Sequence, residues 1–165
     1  AALGTIAFRS PGSVADQIAA LPYSVGDLAG FRPVRTLMGN ALLLTDGPKD
    51  VDPEGTQPMV IVAPSMGRVA VPTGQESAFA RKALGTVREV KDIAVTEEDR
   101  STRGGATVIR LRGAGNDARS GRTIGISQTM VFDGPNYLRI IGLAGADQLD
   151  TLARVDRLAA SVASR

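Results

Sequence analysis

The chain has 165 residues, is 43% hydrophobic and carries a formal net charge of +2 at pH 7. That supplies one domain with a full core and is too short for two ordinary ones, and no apolar run approaches the roughly 20 residues that cross a bilayer as a helix. Cysteine and histidine are both absent, which excludes disulfides, thiolate metal sites and thiol nucleophiles and removes the usual general base near neutral pH.

Residues 1–9 are small and apolar and end at the breaker "FRSPG". Ser13 then precedes "VADQIAAL", where Val14, Ile18 and Leu21 recur at near-helical spacing, so a short helix is predicted before Pro22. "PYSVGDLAGFRP" holds four breakers, two prolines and two glycines, and reads as an ordered loop, followed by a hairpin of "VRTLM", a turn at "GN", and "ALLLTD". "DGPKDVDPEGTQP" is a polar surface loop, and "MVIVA" at 59–63 is a buried strand. Between Pro72 and Gly85 the Thr73 and Glu76 pair has capping-box spacing, which predicts a helix carrying Phe79 and Leu84 into the core.

From residue 90 the pattern becomes strands joined by short turns. "KDIAVTEED" leads through "RGG" to "ATVIRLR", then the turn "GAGNDARSG", then "RTIGISQTMVF", the turn "DGPN" and "YLRIIGLA". Connections this short join antiparallel neighbours, because parallel strands need crossovers of a dozen or more residues. A final helix closes the chain: Leu149, Leu152, Val155, Leu158 and Val162 form its apolar stripe, Asp147 serves as N-cap or first-turn acid, and Arg154 and Arg157 sit toward the carboxyl end. The glycines of "GLAGADQL" are spaced G-x-x-G, not the G-x-G-x-x-G of a dinucleotide loop, and no strand follows to complete such a unit.

Four groups of residues bear on chemistry. Asp50, Asp52 and Glu54 before Gly55 copy the first half of a calcium loop, with Asp46 as a further oxygen donor, but the twelfth position is Ile61 where a bidentate glutamate belongs, so a solvated turn is the preferred reading and the set a weak cation candidate. "APSMG" at 63–67 lacks the first glycine and the histidine of a nucleophile elbow, which makes Ser65 a strand-end residue. Glu97, Glu98 and Asp99 are adjacent and offer a carboxylate pair for acid and base work, but consecutive strand residues alternate between faces, so a solvated strand end is the preferred reading. Between residues 100 and 122, Arg100, Arg103, Arg110, Arg112, Arg119 and Arg122 face only Asp117, an excess of five positive charges. Arg110 and Arg112 share one side of a strand, with Ile109 and Leu111 on the other, which predicts a basic stripe on the outer side of the hairpin; a solvated sheet face is the preferred reading, and a partner surface for phosphate, acidic lipid or an acidic protein is the alternative. Four Phe, two Tyr and no Trp give little for base stacking, so no specific nucleic-acid role follows.

The order hairpin, acidic loop, strand, helix, four-strand meander and closing helix resembles the PsbP/Mog-like superfamily over most of residues 31–163. The ending "YLRIIGLAGADQLDTLARVDRLAASV" carries the resemblance, and "LPYSVGDLAGFRPVRTL" with "LLLTDGP" is similar to bacterial proteins of unassigned function with that fold. The resemblance implies an α+β fold, an antiparallel sheet of about six to seven strands flanked by helices as an α/β/α sandwich. It also implies a style of action, because members are mostly non-catalytic accessory or binding proteins, attached to a photosynthetic complex in one branch and to a small GTPase in another. No functional residue of either branch matches a position here.

The expectation is therefore one domain over residues 1–165 that acts as a non-enzymatic binding or accessory module. Its partner is a protein or an acidic surface, and it needs no cofactor. A hydrolase or lyase working with carboxylates and arginine is the alternative. The relatives implied are commonly exported, which places the chain in the periplasm or cell envelope, with the cytoplasm as alternative. Residues 2–9, "ALGTIAFR", can be laid over 158–165, "LAASVASR", so residues 1–10 are expected to be the tail of a preceding similar domain.

Overall fold

In the computed structural model, which describes residues 13–69 and 71–165, α1 (Val14–Ala19) is followed by β1 (Tyr23–Val25), β2 (Arg32–Leu37), β3 (Ala41–Thr45) and β4 (Met59–Pro64). Then come α2 (Glu76–Leu84), β5 (Val90–Arg103), β6 (Ala106–Asp117), β7 (Thr123–Asp133) and β8 (Asn136–Gly145). A 3-10 turn (Ala146–Gln148), α3 (Thr151–Ala160) and β9 (Val162–Ser164) complete the chain. The expected tail of an upstream domain, residues 1–10, lies outside the described residues.

Strict alternation along β6 and β8 gives the sheet two unlike faces. Seven antiparallel strands pair in the order β2-β3-β4-β8-β7-β6-β5, the meander of β5 to β8 being built from short turns as the connection lengths require. One face carries Leu42, Val60, Val62, Val108 and Ile140 against Leu152, Val155 and Leu158 of α3. The other carries Ile109, Leu111, Ile126 and Met130 against Ala80 and Leu84 of α2. Helices on both faces of one antiparallel sheet make this an α+β sandwich, as the sequence leads one to expect.

Several local expectations are corrected. The loop predicted at "PYSVGDLAGFRP" contains β1, which pairs with β9 in a separate two-stranded sheet, Tyr23 opposite Ser164. That pairing joins the two ends of the described chain and leaves no local signal. The turn predicted at "GAGNDARSG" starts too early, since β6 continues to Asp117. The reason is steric: β5 is irregular between Val95 and Glu97, and a Cβ on Gly113 would lie 2.5 Å from the Ala94 carbonyl oxygen, so the glycine serves a close strand approach and not a turn.

The capping box of α2 does not form. The helix begins at Glu76, Gln75 stands at its N-cap without a side-chain bond, and the Glu76 carboxylate reaches back to the Gly74 N–H at 2.8 Å. At the other end Asp147 falls in the 3-10 turn, and it is Gln148 Oε1 that accepts from the Gly145 N–H, at 3.2 Å. Leu149 is half exposed and drops out of the predicted stripe, and Val162 belongs to β9. The true stripe, Leu152, Val155 and Leu158 with Ala159, is almost wholly buried. It sits in a notch: a Cβ on Gly142 would lie 2.5 and 2.6 Å from the two methyls of Val155.

Candidate functional site

The acidic residues of the 46–58 loop go to different structural partners. Asp50 pairs with Arg32 at 2.6 Å and Asp46 with Arg154 at 2.8 Å. Asp52 accepts from the Gln57 N–H at 2.6 Å and from the Thr56 hydroxyl. Burial works against the Asp52 charge, but these backbone and hydroxyl donors outweigh it and hold the carboxyl below the usual range. Glu54 is exposed. Among the described residues no three acidic, histidine or cysteine side chains come close enough to hold a metal, so the weak cation set Asp46, Asp50, Asp52 and Glu54 does not assemble. Ser65 is a strand-end residue whose backbone and hydroxyl bond Tyr137.

The six arginines of 100–122 do not form an outer stripe. Arg100 points to the α2 face and takes Glu76 at 3.2 Å; that carboxyl is held below its usual value by its own N–H, that of Gly74 and Arg100, against the opposing effect of burial. Arg103 Nη1 donates to the carbonyls of Ala159 and Val162, both at 3.2 Å. Arg119 donates to the Pro53 carbonyl, and Arg122 bonds Ser120. Arg110 and Arg112 share a face as predicted, but it is the face covered by α3. Arg110 Nη1 meets Asp156 Oδ2 at 2.7 Å, Arg110 also pairs with Asp99, and Arg112 pairs with Asp156. Ser127 Oγ donates to the other Asp156 oxygen at 2.6 Å.

Asp156 is the residue that sequence reasoning passed over. Its signal was present: it follows Val155 on the inward side of the last helix, opposite two arginines of β6. The bond to Asp99, then the field of Asp156, raises the Arg110 pKa against the cost of burial. Glu97 and Asp99 lie on this side of β5 while Glu98 turns to the other and pairs with Arg81 at 2.9 Å, which is the alternation a strand demands. The cluster borders an open cavity of about 350 Å³.

A second concavity lies on the opposite face. With nine residues, α2 packs on β6, β7 and the Tyr137–Arg139 end of β8, and leaves β4 and the Ile141–Leu143 end of β8 without a helix. Met59, Ile61, Ile141 and Leu143 are half-buried there, forming the floor of a cavity of about 190 Å³ whose wall is the segment Thr86 to Glu89 after α2. Met59, Glu89 and Leu143 are shared with a neighbouring cavity of about 290 Å³ that runs on toward Asp117 and Arg119.

Arg139 closes the inner end of this groove. Its Nε donates to Gln128 Oε1 and its Nη2 to the Ala83 carbonyl, each at 2.9 Å, and Gln128, fully buried, donates to the Ala80 carbonyl at 2.9 Å. These bonds tie β7 and β8 to the carboxyl end of α2. Burial pushes the Arg139 pKa down, partly offset by Tyr137 and by Glu89. Nothing in the local sequence "YLRII" sets this arginine apart from the exposed ones.

No known protein-family model matches the chain, and neither does any characterised protein sequence. Solved structures do match. LpqN of Mycobacterium tuberculosis, described as involved in cell envelope biogenesis, aligns with a TM-score of 0.56 at 16% identity, covering 82% of this chain and 78% of LpqN. The Ran-binding protein Mog1p of Saccharomyces cerevisiae aligns at 0.59 and 10% identity, covering 87% and 90%. Cyanobacterial PsbP (CyanoP) from Synechocystis aligns at 0.52 and 12% identity, covering 98% and 100%. The chain has the PsbP/Mog-like fold.

Proposed function

We propose that this chain is a non-enzymatic binding or accessory module of the bacterial cell envelope, and that its working surface is the groove between α2 and the β4 and β8 strands. The observation that carries the reading is the uncovered apolar floor at Met59, Ile61, Ile141 and Leu143, a concave and half-buried surface of the kind that takes an apolar group. Similarity in fold to the Ran-binding Mog1p and to LpqN of envelope biogenesis agrees with a binding or accessory role and with that location. The arginine hairpin is a poorer surface for an acidic partner, because its guanidinium groups are engaged by Glu76, Asp99, Asp156 and backbone carbonyls.

The hydrolase reading would rest on the convergence of Asp99, Asp156 and Arg110 beside a cavity. There, however, Asp156 accepts from Arg110, Arg112 and Ser127 at once. Those bonds bolt α3 to the sheet and fix the carboxylate as a structural acceptor.

Titration with the neutral, environment-sensitive dye Nile red tests the groove. Saturable binding is expected, weakened about tenfold by Ile141→Gln, since a half-buried apolar contact gives way to an amide without a partner. Binding that does not saturate, or that ignores the substitution, refutes the reading.

A further inference from the structure

The groove is apolar along its floor and charged at its inner end, and the charge is unbalanced. Arg139 lines the cavity, yet among the described residues no carboxylate stands in ion-pair contact with it. Its hydrogen-bond acceptors, Gln128 Oε1 and the Ala83 carbonyl, are both neutral, and Nη1 has no acceptor among the described residues. Residues 1–12 supply no counter-charge either, because they contain no Asp or Glu. The carboxyl end of α2 offsets part of the positive charge, by about half a unit at most. A guanidinium taken from water without a matching anion is costly to the fold, and such a cost is recovered when an anion binds beside it. Glu89, exposed on the rim, acts on Arg139 only from beyond contact distance, and it opposes an incoming anion.

We infer that the groove takes a single apolar chain ending in a carboxylate, the chain lying over Ile61, Ile141 and Leu143 and the carboxylate meeting Arg139. This rests on the reading of the groove as the binding surface and adds the chemical class of its ligand. Arginine suits the head group because it stays charged at every working pH and keeps a donor edge free beyond the two bonds it already makes. The second cavity, continuous through Met59 and Leu143, extends the apolar track away from the head.

The test is displacement of Nile red from the full chain by dodecanoate, dodecanol and dodecyltrimethylammonium, each kept below its micelle concentration. Dodecanoate is expected to bind about ten- to a hundredfold tighter than dodecanol, the range for hydrogen bonds to a charged group, and dodecyltrimethylammonium the weakest. Arg139→Gln should bring dodecanoate level with dodecanol. Because Arg139 also ties Gln128 to α2, a second variant keeps the experiment decisive: Glu89→Gln should tighten dodecanoate severalfold and leave dodecanol unchanged. Equal binding of dodecanoate and dodecanol, or a Glu89→Gln protein with an unaltered ratio between them, overturns the carboxylate inference and leaves the groove standing. Failure of all three compounds to displace the dye overturns the groove itself.

Discussion

Gly142→Ala perturbs the joint between α3 and the sheet. The added Cβ would lie 2.5 and 2.6 Å from the Val155 methyls and 3.1 Å from its Cβ, whereas carbon atoms pack at about 3.5–4.0 Å. Roughly an ångström must open. Val155 cannot rotate away, since it is 1% exposed, both methyls collide, and a β-branched side chain in a helix has one strongly preferred rotamer. Nor can the helix lift freely, because Asp156 anchors it to Arg110, Arg112 and Ser127. Overpacking should therefore cost about 3 kcal/mol, the upper end of its range, offset by up to about 1 kcal/mol from replacing a strand glycine. The net loss of about 2 kcal/mol corresponds to about 4–8 °C in Tm for a chain of this size. Val155→Ala alone should cost about 2 kcal/mol through lost burial and a small cavity, but it also removes the colliding methyls. Urea unfolding followed by far-UV circular dichroism should then show the double variant near 2 kcal/mol rather than 4. If the two losses add to within about 0.5 kcal/mol, Gly142 and Val155 are not in contact and the notch is wrong.

Three further outcomes follow from the geometry. Asp156→Ala should cost about 2–4 kcal/mol, somewhat below the range for breaking a fully buried pair because Arg110 and Arg112 keep 30% and 24% of their side-chain exposure; a loss under about 1 kcal/mol in urea unfolding would show that Asp156 is dispensable to the docking of α3. Tyr23 is fully buried, with its hydroxyl 2.9 Å from the carbonyl oxygens of both Asn40 and Val62, and burial pushes its pKa from 10.0 up to about 12 against the opposing Leu42 backbone hydrogen bond. The unfolded chain thus loses this proton first, so the contribution of Tyr23 is whole below pH 10 and is lost as pH rises to 12; the wild-type stability should fall more steeply than that of Tyr23→Phe across this window, and parallel curves would refute the assignment. Millimolar calcium should move Tm by less than about 1 °C, and a larger rise would mean that the 46–58 loop gathers its carboxylates around a cation after all.

What the sequence determined by itself was the kind of fold. Alternation in "ATVIRLR" and "YLRIIGLA", and the short turns between strands, leave an antiparallel meander as the only economical arrangement, and the spacing of Leu152, Val155 and Leu158 demands a sheet beneath the last helix. These are local signals, because each depends on the period of one element. The surface roles were decided elsewhere. Whether Arg110 and Arg112 face water or a helix depends on which side of the sheet α3 covers, and only the packed structure sets Asp156 above them. The β1 and β9 pairing depends on two chain ends meeting, and the groove depends on α2 being too short to reach β4. Arg139 shows the difference most plainly: in sequence it is one arginine among many, and it becomes a half-buried guanidinium with no ion-pair partner among the described residues only where three elements, β7, β8 and the end of α2, close around it. Periodicity is carried by neighbours along the chain, while burial and charge balance are sums over neighbours in space.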